Sequence, residues 1–111
     1  MILCLDVGNT QVFGGVFAGD RLISQFRRTS QLRSSSDELG VFFRGVLREN
    51  DIDPGLIQEI VICSVVPDLN YSLRACAQKY FSIDPLVLRP GVKTGLNIAY
   101  QDPKAVSYTH L

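Results

Sequence analysis

The strongest constraint in this sequence is its opening. Ile2 to Leu5 is an unbroken apolar run that stops at Asp6. A run with no polar alternation has no face to give to water, so it suits a central strand covered on both faces. The carboxylate then stands at the carboxyl end of that strand, and Gly8-Asn9 follows it as a turn signal. Val12 to Phe17 supplies the returning strand, and Gly19-Asp20 marks a second tight turn. The chain is therefore expected to begin as a hairpin with its one early carboxylate at the turn end.

From Leu22 to Arg27 polar and apolar residues alternate, as in a strand nearer a sheet edge, which completes a three-stranded meander. Ser34, Ser35 and Ser36 offer helix-capping oxygens, and Asp37 and Glu38 favour the positive end of a helix. Leu39, Phe42, Phe43, Val46 and Leu47 then recur at helical spacing, predicting a helix to about Glu49. Asn50 to Gly55 breaks it. Glu59 to Val66 reads as a buried strand stopped by Pro67, and Asp68 opens a second helix with Leu69, Leu73, Cys76, Ala77 and Tyr80 on one face. Pro85 to Leu88 gives a last short strand. The predicted order is βββαβαβ, an α/β layered domain with a mixed sheet and flanking helices.

Forty-six per cent of the 111 residues are apolar, enough for one buried core. Eleven basic residues cancel eleven acidic ones, so no net field draws the chain to nucleic acid or an anionic membrane. No apolar run approaches the roughly 20 residues of a membrane span. The start MILCLD lacks the basic leader of a signal peptide, which predicts a cytoplasmic location. The three cysteines, Cys4, Cys63 and Cys76, have no C-x-x-C spacing and sit in apolar surroundings, so they read as core thiols and not as a redox or metal set.

Chemistry concentrates in Asp6-Val7-Gly8-Asn9-Thr10. A strand-end carboxylate, a glycine that allows close backbone approach and two short polar residues could hold a hydrated Mg²⁺ and surround phosphate oxygens. The same string also makes an ordinary hairpin turn with a surface aspartate. Neither a G-x-x-x-x-G-K-[ST] loop nor a G-x-G-x-x-G loop is present, which removes the main support for P-loop and Rossmann alternatives.

An apolar first strand, this turn and a second strand returning as Val12-Phe13-Gly14-Gly15 resemble the first phosphate loop of the actin, sugar kinase and Hsp70 superfamily. Within it the chain resembles the type III pantothenate kinases, on Asp6 to Thr10, Arg28-Thr29 followed by Asp37-Glu38, Ser64-Val65-Val66-Pro67, and Thr94-Gly95-Leu96 ahead of Tyr100. The likeness covers residues 1 to about 105. It implies the first half of an actin-like ATPase (ribonuclease H-like) domain. It further implies an enzyme that uses ATP, Mg²⁺ and a monovalent cation, K⁺ or NH₄⁺, to phosphorylate pantothenate in the first step of coenzyme A synthesis. By that resemblance Asp6, Val7, Gly8, Asn9, Thr10, Gln11, Val12 and Phe13 form the ATP loop, Asp6 holds Mg²⁺ through water, and Tyr100 lines the pantothenate pocket. The full-length parent would be a homodimer.

The family continues after the segment resembling Asp102-Pro103-Lys104 into Gly-Ala-Asp-Arg, whose Asp is the general base. Ser107, Tyr108, Thr109 and His110 occupy those places here, and a threonine cannot serve as that base. The expectation is an inactive N-terminal fragment without its second domain. Val106 to Leu111 resembles the translation of a transposon-type sequencing adapter, so 106–111 reads as a non-native tail. The competing expectations are a non-catalytic regulator of the same fold, like the accessory transcription factors, and a stand-alone nucleotide-binding module of the actin type. Among other candidates, Arg27, Arg28 and Arg33 read as a solvated strand end, Phe42, Phe43, Tyr71 and Tyr80 as core or interface filling, and His110 as having no role. Lys93 is open between an anion contact and a solvent lysine.

Overall fold

The sheet is assembled around the opening run. In the computed structural model, which describes residues 1–88, β1 (Ile2–Val7) pairs antiparallel with β2 (Gln11–Ala18), and β2 with β3 (Arg21–Thr29). On its other side β1 pairs parallel with β4 (Glu59–Ser64), which pairs parallel with β5 (Leu86–Leu88). The order across the sheet is β3-β2-β1-β4-β5, with β1 at its centre. Parallel neighbours need a crossover, and α1 (Ser36–Glu49) and α2 (Pro67–Phe81) supply it ahead of β4 and β5.

Alternation along β1 sorts two faces. Leu3, Leu5 and Val7 are buried in one cluster with Val12 and Val16 of β2, Ile60 and Ile62 of β4, and Leu39, Phe43 and Leu47 of α1. Leu69, Leu73, Cys76 and Ala77 of α2 join the same cluster, so among the described residues both helices cover one face. Ile2 and Cys4 point the other way and pack, partly buried, with Phe13 against Phe17 and Leu22.

Local chemistry sets the element ends. Of the serines Ser34, Ser35 and Ser36 the structure uses Ser35 as the cap of α1, because Glu38 lies three residues on and completes a capping box. The Ser35 hydroxyl accepts from the Glu38 N–H, and the Glu38 carboxylate accepts from the Ser35 N–H, both at 3.1 Å. The strand expected to reach Val66 stops at Ser64. There the Ser64 hydroxyl accepts from the Val66 N–H at 3.0 Å, folding the chain away from the ladder just before Pro67 starts α2. A short 3₁₀ turn at Pro54–Leu56, capped by Asp53, occupies part of the segment read as a simple break. Between the helices, Tyr80 packs its ring against Gly40, where no side chain would fit, and donates its hydroxyl to Asp37 at 2.7 Å.

Candidate phosphate-binding site at the carboxyl end of β1

The site lies where β1 runs out. Asp6 is half-buried beside Phe13 of β2 and Cys63 of β4, its Cα partners in the two ladders. Burial raises the Asp6 carboxyl pKa above its ordinary value. Among the described residues the ion pairs are Arg74–Asp84 and Lys79–Asp37, and neither involves Asp6. Asp6 is thus a desolvated carboxylate without a cationic partner in the described part of the fold.

In the turn that follows, three carbonyls are hydrogen-bonded to other segments while two amides have no backbone acceptor among the described residues. The Gly8 N–H donates to the Gln11 carbonyl at 2.9 Å, and a Cβ at position 8 would press on that same oxygen at 3.3 Å. The Gly8 carbonyl accepts from the Ser30 hydroxyl at 2.7 Å, and the Thr10 carbonyl accepts from the Ser30 N–H at 2.9 Å. The Val7 carbonyl accepts from the Val65 N–H at 3.0 Å. Asn9 and Thr10 are exposed, and among the described residues neither N–H has a backbone acceptor. Two exposed residues whose amides are not committed to the backbone, beside a carboxylate, can take an anion's oxygens and its counter-cation together.

The expected loop residues divide accordingly. Val7 and Val12 are 1% and 2% exposed in the core under the helices, so only their backbone belongs to the loop. Gly8's amide is already bonded within the turn, which leaves the Asn9 and Thr10 amides as the donors without a backbone acceptor among the described residues. Gln11 and Phe13 are half-buried at the start of β2. Tyr100, Lys93, Thr109 and His110 lie outside the described residues. Arg28 is not a solvated end. It stacks over the Phe42 ring at 4.9 Å and donates to Gln31 and Ser34, whereas Arg27 and Arg33 are exposed. Ser30 was missed by sequence reasoning. Its signal is register: Gln11 pairs with Thr29, the last residue of β3, which carries Ser30 just beyond it to the turn.

Burial pushes the Cys4 and Cys76 thiols up to about 11 and about 12. Among the described residues no group of histidine, cysteine and carboxylate side chains is suited to hold a metal by protein ligands alone. A cavity of about 320 Å³ is lined by Gln58, Glu59, Ile60, Val61, Ile83, Asp84 and Leu86, at the opposite end of β4 from the Asp6 turn. No helix among the described residues is long and apolar enough to cross a membrane.

A mixed sheet in this order, with the carboxylate turn between its first two strands, is the first half of the actin-like ATPase fold. The solved ROK hexokinase from Thermus thermophilus matches it with a TM-score of 0.60 over 79% of this chain and 34% of that one, at 17% identity. The family described as type III pantothenate kinase matches residues 2–107, and the chain belongs to it. Proteins named type III pantothenate kinase are 58% identical in Legionella pneumophila (strain Corby), over 96% of this chain, and 54% in Elusimicrobium minutum (strain Pei191), over 92%. The chain spans 41% and 40% of the length of these two relatives.

Proposed function

We propose that this chain is the ATP-phosphate-binding part of a pantothenate kinase, which passes the γ-phosphoryl group of ATP to the primary hydroxyl of pantothenate to give 4'-phosphopantothenate. The observation that carries this is that Asp6, with no cationic partner among the described residues, stands at the end of the central strand beside the Asn9 and Thr10 amides, which have no backbone acceptor there, in a chain of this family.

Phosphoryl transfer asks the protein mainly for positioning and charge neutralisation. Asn9 and Thr10 donate to phosphate oxygens, and Gly8 lets the backbone come close. One carboxylate with no protein co-ligand fits a Mg²⁺ held through water, and that ion would offset phosphate charge when bound. The pantothenate pocket with Tyr100, a K⁺ or NH₄⁺ site, a homodimeric parent and a cytoplasmic location belong to the same proposal. The step that removes the hydroxyl proton needs a carboxylate, and Thr109 stands at that position here, so the 111-residue chain alone transfers no phosphate.

The test is a pantothenate kinase assay with ATP, Mg²⁺ and K⁺, run on this chain beside a longer version carrying the remaining length of its relatives. Activity confined to the longer version is expected. Inactivity of both would refute the kinase assignment and favour a regulator of the same fold. Activity of the short chain would refute the missing base.

A further inference from the structure

We infer that Ser30 is a positioning residue for the phosphate turn, acting through the backbone of Gly8 and Thr10. It deepens the ATP-loop proposal and rests on it.

Ser30 is the first residue after β3, and it meets the turn with both of its donors. Its hydroxyl donates to the Gly8 carbonyl at 2.7 Å across 22 residues of sequence, and its N–H donates to the Thr10 carbonyl at 2.9 Å. These are the two carbonyls that bracket Asn9. Left free, they would present partial negative charge beside an incoming phosphate. The Gly8 carbonyl shares its peptide plane with the Asn9 N–H, and the Thr10 carbonyl shares its plane with the Gln11 N–H. With both carbonyls occupied, the planes on either side of the Asn9–Thr10 peptide are fixed, which holds that peptide between them. The turn is thereby preorganised for an anion before one arrives, which limits the ordering cost of binding.

Ser30 is itself held. The segment after it leads to the buried Ser34, which accepts from Arg28 at 3.4 Å, and Arg28 rests on Phe42 of α1. The capping serine of α1 comes next. The segment that follows the clamp is therefore tied to α1 through Ser34 and Arg28.

The experiment uses the 111-residue chain, ¹⁵N-labelled, as wild type, Ser30→Ala, Ser30→Thr and Ser24→Ala. Ser24 lies on the same strand opposite Val16, away from the turn. Amide exchange at Gly8 and Ser30 is measured first, then shifts at Asn9 and Thr10 on titration with Mg·ATP. Loss of one such hydrogen bond predicts exchange faster by about 3- to 10-fold and Mg·ATP affinity weaker by a similar factor in Ser30→Ala. Ser30→Thr, which keeps the hydroxyl, restores both, and Ser24→Ala changes neither. Wild-type Mg·ATP affinity in Ser30→Ala, or an equal loss in Ser24→Ala, overturns the positioning role alone. Absence of any Mg·ATP shift at Asn9 and Thr10 in the wild type overturns the ATP-loop proposal and Ser30's part with it.

Discussion

Replacing Asp6 by Asn should strengthen the fold and weaken the site at once. The carboxyl is half-buried, its pKa is raised by desolvation, and neither ion pair in the described fold touches it. In the unfolded chain that carboxyl returns to its ordinary value of 3.8, so folding is penalised wherever Asp6 must be ionised. The sign follows directly. The raised folded pKa leaves stability intact below the unfolded value and loses it as pH rises through the folded value. Asp6→Asn therefore gains stability at pH 7, by a small amount because the group is partly exposed and screened by solvent. The gain shows as a higher Tm, on a scale where about 1 kcal/mol moves a domain of this size by about 4–8 °C. The gain should fade on acidification toward pH 3, where both side chains are neutral. Thermal melts by circular dichroism from pH 3 to 7 read this directly, and Mg·ATP binding by the same variant should fall at least about tenfold. A variant less stable than wild type at pH 7 would mean that Asp6 is a structural ion held by the fold, and would refute the reasoning.

Other expectations concern the scaffold that holds the turn. Ser35→Ala removes the hydroxyl that accepts from the Glu38 N–H, leaving only the backbone half of the α1 capping box, and should cost about 1 kcal/mol, seen as a drop of about 4–8 °C in Tm. Gly14→Ala drives a methyl into the Phe26 ring, which stacks at 6.0 Å on both Phe42 and Phe43, and should cost about 1–3 kcal/mol by chemical denaturation. Cys4 and Cys76, with thiols pushed to about 11 and about 12, should resist thiol-labelling reagents at pH 8 in the native chain and react fully in denaturant. Rapid native labelling of either would contradict their burial.

Much of the scaffold was legible because each element carries its own signal. The apolar opening run is central, the Leu39–Phe43–Leu47 spacing faces the core, and the Cys76 and Ala77 side of α2 is buried. Element ends were less legible where a side chain competes with the backbone. Val65 and Val66 have every propensity for a strand, yet the Ser64 hydroxyl captures the Val66 amide and ends it, leaving Val65 48% exposed. The site was half visible. Asp6 and the glycine-asparagine turn announce themselves locally, but Ser30's reach to Gly8 follows from the β2–β3 register, a tertiary fact. The division of the turn into occupied carbonyls and open amides is likewise set by partners that are distant in sequence. Arg28 was misjudged for the same reason, since Phe42 and Ser34, its partners, lie on later segments.

The most direct test of the central claim is a shift map of the ¹⁵N-labelled wild-type chain on titration with Mg·ATP. The largest changes are expected at Asp6, Gly8, Asn9 and Thr10, with Mg²⁺ alone perturbing Asp6 first. Changes centred on Glu59, Asp84 and Leu86 at the far end of the sheet, with the turn silent, would contradict it.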